Sequence, residues 1–245
     1  MDLGIPEAIR KVVRKIVPDF MLERRRQRWL RRQQDHRLHI VREFHKLYYP
    51  TLTHEAFWLG VPALKCPLDC WVYQEIIFRT RPEIIIETGV CYGGSTLYMA
   101  SILDLVGSGS IIAIDIDLSQ VHEKVRNHPR VTLMEGSSVD ATILQEVKKK
   151  SNGKKTMVVL DSDHRAQHVL NELNSYSDMV SSGCYLICED TNLNGNPVFS
   201  AVPYNPGPHE AMEEFIKLNG DRWEVDYGSE KYLLTFNPGG FLFKK

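Results

Sequence analysis

The chain is short of cysteine: five in 245 residues, Cys66, Cys70, Cys91, Cys184 and Cys188. An odd, low count is no disulfide framework. The pairs Cys66/Cys70 and Cys184/Cys188 are spaced C-x3-C, not the C-x2-C of most zinc sites, so buried free thiols are expected. No apolar run has the length of a membrane-spanning helix, and the N-terminus lacks the apolar core of a secretory signal. A reduced, cytoplasmic setting is expected. Internal repeats and low-complexity segments are absent as well. The net charge of −1 excludes a strongly basic body, and with no recognition motif present a nucleic-acid partner is not expected.

The near-neutral total hides an asymmetry. Residues 1–46 hold 13 Lys/Arg and 6 Asp/Glu, a net +7, and the remainder carries −8. Residues 7–17 alternate basic and apolar groups at helical spacing. After Pro18, Asp19 is placed to cap a second helix over about 20–47. A basic helical arm over 1–47 is therefore expected, followed by one domain over 48–245. Such an arm suits an anionic membrane surface, a homo-oligomeric contact, or packing on the acidic body.

Beyond an irregular stretch at 48–68 and a helix over 70–80, the pattern changes. Ile84–Thr88, Ile111–Asp115, Val131–Glu135, Met157–Asp161 and Cys184–Glu189 are short apolar runs, four of them closed by an acid. Runs of this kind form strands buried on both faces of a parallel sheet. Helical patterns at about 94–105, 139–150, 166–181 and 209–219 separate them, which predicts a doubly wound α/β sheet. Trp223–Tyr227, Lys231–Phe236 and Phe241–Phe243 are too closely spaced for crossover helices and are expected as antiparallel strands. The connection 191–208, rich in Asn, Pro and Gly, is long enough to suggest an active-site wall or lid.

Three motifs carry chemistry. Glu87-Thr88-Gly89-Val90-Cys91-Tyr92-Gly93-Gly94-Ser95 joins a strand to a helix. Its G-x3-G-G spacing differs from the dinucleotide G-x-G-x-x-G. An acid at the strand end suits the cationic amino-acid end or sulfonium of S-adenosylmethionine better than a pyrophosphate. Glu87, Gly89, Tyr92, Gly93 and Ser95 are the candidate cofactor contacts. Asp115 closes the next strand and is placed for ribose hydroxyls, and Ser137 and Ser138 for the adenine side. Asp161-Ser162-Asp163-His164 and Glu189-Asp190 follow two further strands. If those strands are neighbours, Asp161, Glu189 and Asp190 converge, and close carboxylates repel unless a cation separates them. Oxygen ligands favour Mg2+ over zinc. Such an ion lowers the pKa of a bound hydroxyl, and a nearby histidine can take the proton. Asp161-Ser162-Asp163 also reads as the D-x-D of a metal-dependent glycosyltransferase, which leaves the Glu87/Gly89 motif unexplained.

The passages 45–50 (HKLYYP), 71–76 (WVYQEI), 87–95, 160–164 (LDSDH), 189–197 (EDTNLNGNP) and 205–215 (NPGPHEAMEEF) resemble the metal-dependent methyltransferases of the cephalosporin hydroxylase family. Bacterial rhamnosyl O-methyltransferases are the most similar branch. The likeness runs from about Phe44 to Lys245. It implies a Rossmann-like class I methyltransferase fold and Mg2+ held by Asp161, Glu189 and Asp190. It also implies His164 as general base, and a glycoside or glycolipid hydroxyl as acceptor. A catechol or polyketide hydroxyl is the alternative acceptor. Hydroxylation by iron is disfavoured, because the facial triad wants two histidines and one carboxylate.

Overall fold

The computed structural model describes residues 19–49, 55–198 and 206–245. The apolar runs became strands for the reason expected. Ile84 and Ile86 point to one face of the sheet and Ile85 to the other, and all three are buried. In chain order the elements are α1 (Asp19–Tyr48), β1 (Phe57–Trp58), β2 (Val61–Pro62), α2 (Pro67–Thr80), β3 (Ile84–Thr88) and α3 (Gly94–Val106). Then follow β4 (Ser110–Asp115), α4 (Glu123–Arg126), β5 (Val131–Glu135), α5 (Ala141–Ser151), β6 (Thr156–Leu160), α6 (Ala166–Tyr176) and β7 (Tyr185–Cys188). The chain ends with α7 (Pro208–Asn219), β8 (Trp223–Val225), a 3-10 turn at Tyr227–Glu230 and β9 (Phe241–Lys244).

Seven strands form one sheet in the order β5-β4-β3-β6-β7-β9-β8. β3 to β7 are mutually parallel, while β9 runs antiparallel to both β7 and β8. Helices cover both faces. Val72, Tyr73, Ile76 and Ile77 of α2 and Leu97, Met99 and Leu103 of α3 pack on one. Val169 and Leu173 of α6 and Met212 and Phe215 of α7 pack on the other. Cys184 and Cys188 are buried free thiols within this second core.

Sequence-readable caps set several helix ends. Pro67 opens α2, where its missing N–H costs nothing. The Asp140 carboxylate accepts from Thr142 N and Ile143 N at the start of α5. α6 stops at Tyr176, short of the expected 181, and a turn follows. The largest correction concerns Lys231–Phe236, which form no strand. Leu233 adopts φ 70°, which breaks an extended run. Phe236 N donates to the buried Asp69 carboxylate at 2.8 Å instead of to a neighbouring strand.

The chain groups into two units, Met1–Glu43 and Phe44–Lys245. Within the second, His45 Nε2 donates to the Thr235 carbonyl at 3.1 Å, and Tyr48 and Tyr49 pack against the Phe236 ring. The helix expected at 7–17 and part of the 191–208 connection lie outside the described residues. No described helix is long and apolar enough to cross a membrane.

Candidate active site

The chain leaves β3 for β4 and β5 on one side, then returns to β6 and β7 on the other. β3 and β6 therefore flank the reversal point, and a crevice opens outside their carboxyl ends. A cavity of 420 Å³ lies there. Gly89, Tyr92, Ser95, Asp115, Ser137, Ser138, Asp161, His164 and Asp190 line it. The loops after β3, β4, β5, β6 and β7 thus bring nine of the predicted site residues to one space.

Three predicted residues stand behind the wall. Glu87 is fully buried and accepts from Ser95 Oγ and Thr96 Oγ1, each at 2.5 Å. Its influence on the cavity passes through Ser95. Burial raises its pKa to about 7, against the opposing pull of Lys65 and the two hydroxyls. Gly93 turns the chain into α3 at φ 87°, with no room for a Cβ beside Val125. Glu189, also buried, accepts from Tyr73 Oη at 2.7 Å and from Lys65 Nζ at 2.5 Å.

Asp115 does more than line the cavity. Its Oδ2 accepts from Val90 N at 2.7 Å and Cys91 N at 2.9 Å, and so shapes the glycine turn. His168 Nε2 lies 3.1 Å from both Ser138 Oγ and Ser162 Oγ. The buried Glu172 carboxylate beside it raises the His168 pKa.

Asp161, His164 and Asp190 each present one ligand atom, all within 4.8 Å of one another. His164 Nε2 is 3.3 Å from Asp190 Oδ2. The predicted trio of Asp161, Glu189 and Asp190 is therefore arranged with His164 in the cluster and Glu189 turned to Lys65 and Tyr73. Burial raises the pKa of all three acids, Glu189 to about 6, while Lys65 or His164 pulls back. Asp163, the second acid of the D-x-D reading, gives both oxygens to Arg165 Nε at 2.9 Å. That contact lowers its pKa to about 2.

Lys65 is the member that sequence reasoning missed. Its side chain is buried and ion-paired with both Asp161 and Glu189. Burial works against its charge, yet Asp161, Glu189 and Glu87 outweigh it and hold the pKa well above the ordinary lysine value. Tyr73 was missed as well. Asn237 Nδ2 donates to its hydroxyl at 3.0 Å, and Asn237 Oδ1 accepts from Asp190 N at 3.0 Å.

The donor set fits the groups the motifs imply. Carboxylates with one imidazole at close range suit a hard divalent cation. A glycine turn held open by an acid, with a hydroxyl-rich far wall, suits a nucleoside-bearing sulfonium.

Comparison with known proteins agrees with this geometry. The family described as Rhamnosyl O-methyltransferase/CmcI matches residues 50–245. Rhamnosyl O-methyltransferase of Mycobacterium tuberculosis is 34% identical over 210 residues, covering 84% of this chain and 85% of that protein. The Mycobacterium leprae protein of the same name is 33% identical over 211 residues, covering 84% and 91%. Among solved structures, CmcI with Mg and SAM superposes with a TM-score of 0.61 at 23% identity, covering 78% of this chain and 77% of that one. A putative caffeoyl-CoA O-methyltransferase from Staphylococcus aureus gives 0.55 at 16% identity, covering 82% and 92%. The sheet order and its antiparallel C-terminal strands are those of a Rossmann-like methyltransferase fold. With its family matched over four-fifths of its length, the chain belongs to the Rhamnosyl O-methyltransferase/CmcI family and is an S-adenosylmethionine-dependent O-methyltransferase.

Proposed function

We propose that this enzyme methylates a hydroxyl of a rhamnosyl-type sugar, in a glycolipid or glycosylated natural product, with the help of Mg2+. The observation that carries the reading is the placing of the glycine turn after β3 and the Asp161/His164/Asp190 cluster after β6 and β7 on one cavity. The mycobacterial relatives of the same name support the sugar acceptor.

S-adenosylmethionine supplies the electrophilic methyl group. Gly89, Tyr92 and Ser95 receive its amino-acid end, Asp115 its ribose, and Ser137 and Ser138 its adenine. Asp161 and Asp190, joined by Glu189 once it leaves Lys65, would hold Mg2+, whose charge would lower the pKa of an acceptor hydroxyl. His164, in the same cluster, takes the hydroxyl proton on Nε2 as the oxygen attacks the methyl carbon and the carbon–sulfur bond breaks, leaving S-adenosylhomocysteine. The walls exclude water and hold the reacting atoms in line, from which much of the rate derives. The +7 arm supports a peripheral contact with an anionic membrane that carries a lipid-linked acceptor.

Calorimetric titration with S-adenosylhomocysteine, in Mg2+ and in EDTA, followed by methyl-transfer assays on rhamnosides, tests this. Micromolar cofactor binding with transfer that stops in EDTA is expected. Transfer that persists in EDTA would remove the metal. Transfer to catechols alone would replace the sugar.

A further inference from the structure

Lys65 is a buried ammonium among carboxylates, with 5% of its surface exposed. Its Nζ lies 2.5 Å from Glu189 Oε2 and pairs also with Asp161 Oδ2. A buried cation loses several kcal/mol of hydration unless paired, and grouped carboxylates repel without one. Each side therefore relieves the other's cost. The lysine is held in place from both directions. Its N–H donates to the Ala63 carbonyl at 2.7 Å, and α2 begins two residues later at Pro67. Its partners close two neighbouring strands, β6 and β7. Asp161 and Glu189 are two of the three acids predicted to hold a divalent cation. Glu189 stands outside the Asp161/His164/Asp190 cluster because both its oxygens are engaged, Oε2 by Lys65 and Oε1 by Tyr73.

We propose that Lys65 is the resident counterion of the metal site and competes with the divalent cation for Asp161 and Glu189. The inference rests on the metal-dependent reading above. Lys65 keeps the acid cluster assembled in the metal-free protein. It also sets metal affinity below what the three carboxylates alone would give. Occupancy then follows the free divalent-ion concentration, and the protein stays folded throughout.

The test compares the wild-type protein with Lys65→Met, both stripped with EDTA, by calorimetric titration with Mg2+ and Mn2+ and by thermal melting with and without each ion. The variant is expected to bind either ion at least ~tenfold more tightly. It should also melt below wild type without metal and rise further with it. Equal or weaker metal affinity in folded Lys65→Met would overturn the role of Lys65. If the variant folds only when Mg2+ is present, one cation has replaced another, and the inference stands. If it folds in neither condition, Lys65→Arg decides. A guanidinium can still pair both acids, so metal affinity should not exceed wild type, and a tighter site would overturn the inference. Indifference of both wild type and variant to either ion would instead overturn the metal reading itself.

Discussion

A Cβ added to Gly89 would stand 1.8 Å from the carbonyl oxygen of Asp161. The turn proposed to receive the cofactor and the residue that opens the proposed metal cluster touch backbone to backbone. Gly89 also has φ 83°, where a side chain costs about 1–2 kcal/mol before any clash is counted. Gly89→Ala is therefore expected to lower stability by about 2 kcal/mol or more, or roughly 5 °C in Tm. It should also weaken S-adenosylhomocysteine binding at least tenfold. Melting and titration read both, and a variant matching wild type in each would show that the two loops do not constrain one another.

His164 lines the cavity within the Asp161/His164/Asp190 cluster. His164→Gln should lower kcat by about 10²–10⁴-fold, the usual range for a lost general base. Cofactor affinity should stay close to wild type. Full turnover in the variant would move the base elsewhere.

Tyr73 joins Glu189 to Asn237. Tyr73→Phe removes the hydroxyl and leaves a buried carboxylate oxygen and a buried amide each short of a partner. A loss of about 1–3 kcal/mol is expected in urea unfolding. An unchanged midpoint would mean that the neighbourhood repacks.

Asp69 predicts the pH response of the fold. Burial raises its pKa to about 7, although the Thr235 hydroxyl and the Phe236 N–H donate to it. The folded state then binds a proton that the unfolded state releases near pH 4, so stability falls as pH rises from about 4 to 7. Asp69→Asn should flatten that fall, by on the order of 3 kcal/mol across the window. Melting curves from pH 4 to 8 check it. Parallel profiles for variant and wild type would refute it.

The parallel strands and four of the five helices between and after them were legible because each strand is an unbroken apolar run with helical spacing between. Ser137 and Asp115 could be placed from strand ends alone. Lys65 could not. A single lysine in an irregular stretch has no periodic signature, and its partners lie 96 and 124 residues away. Lys231–Phe236 misled for a related reason. Its β-favouring side chains serve to cover the base of α1 and α2, and a carboxylate from α2 takes the backbone donor that a strand would have shared.

β3 and β6 are hydrogen-bonded neighbours in register, Thr88 beside Leu160. On the proposed site assignment, the distance from methyl donor to acceptor oxygen is thus ruled by the spacing of two adjacent strands in the middle of the sheet. Acceptor choice can drift with the segment after β7 and with the β1–β2 hairpin, whose Pro62 lines the cavity, while that spacing stays fixed. A designer who wanted a new acceptor would leave the central strands alone and recut only the rim.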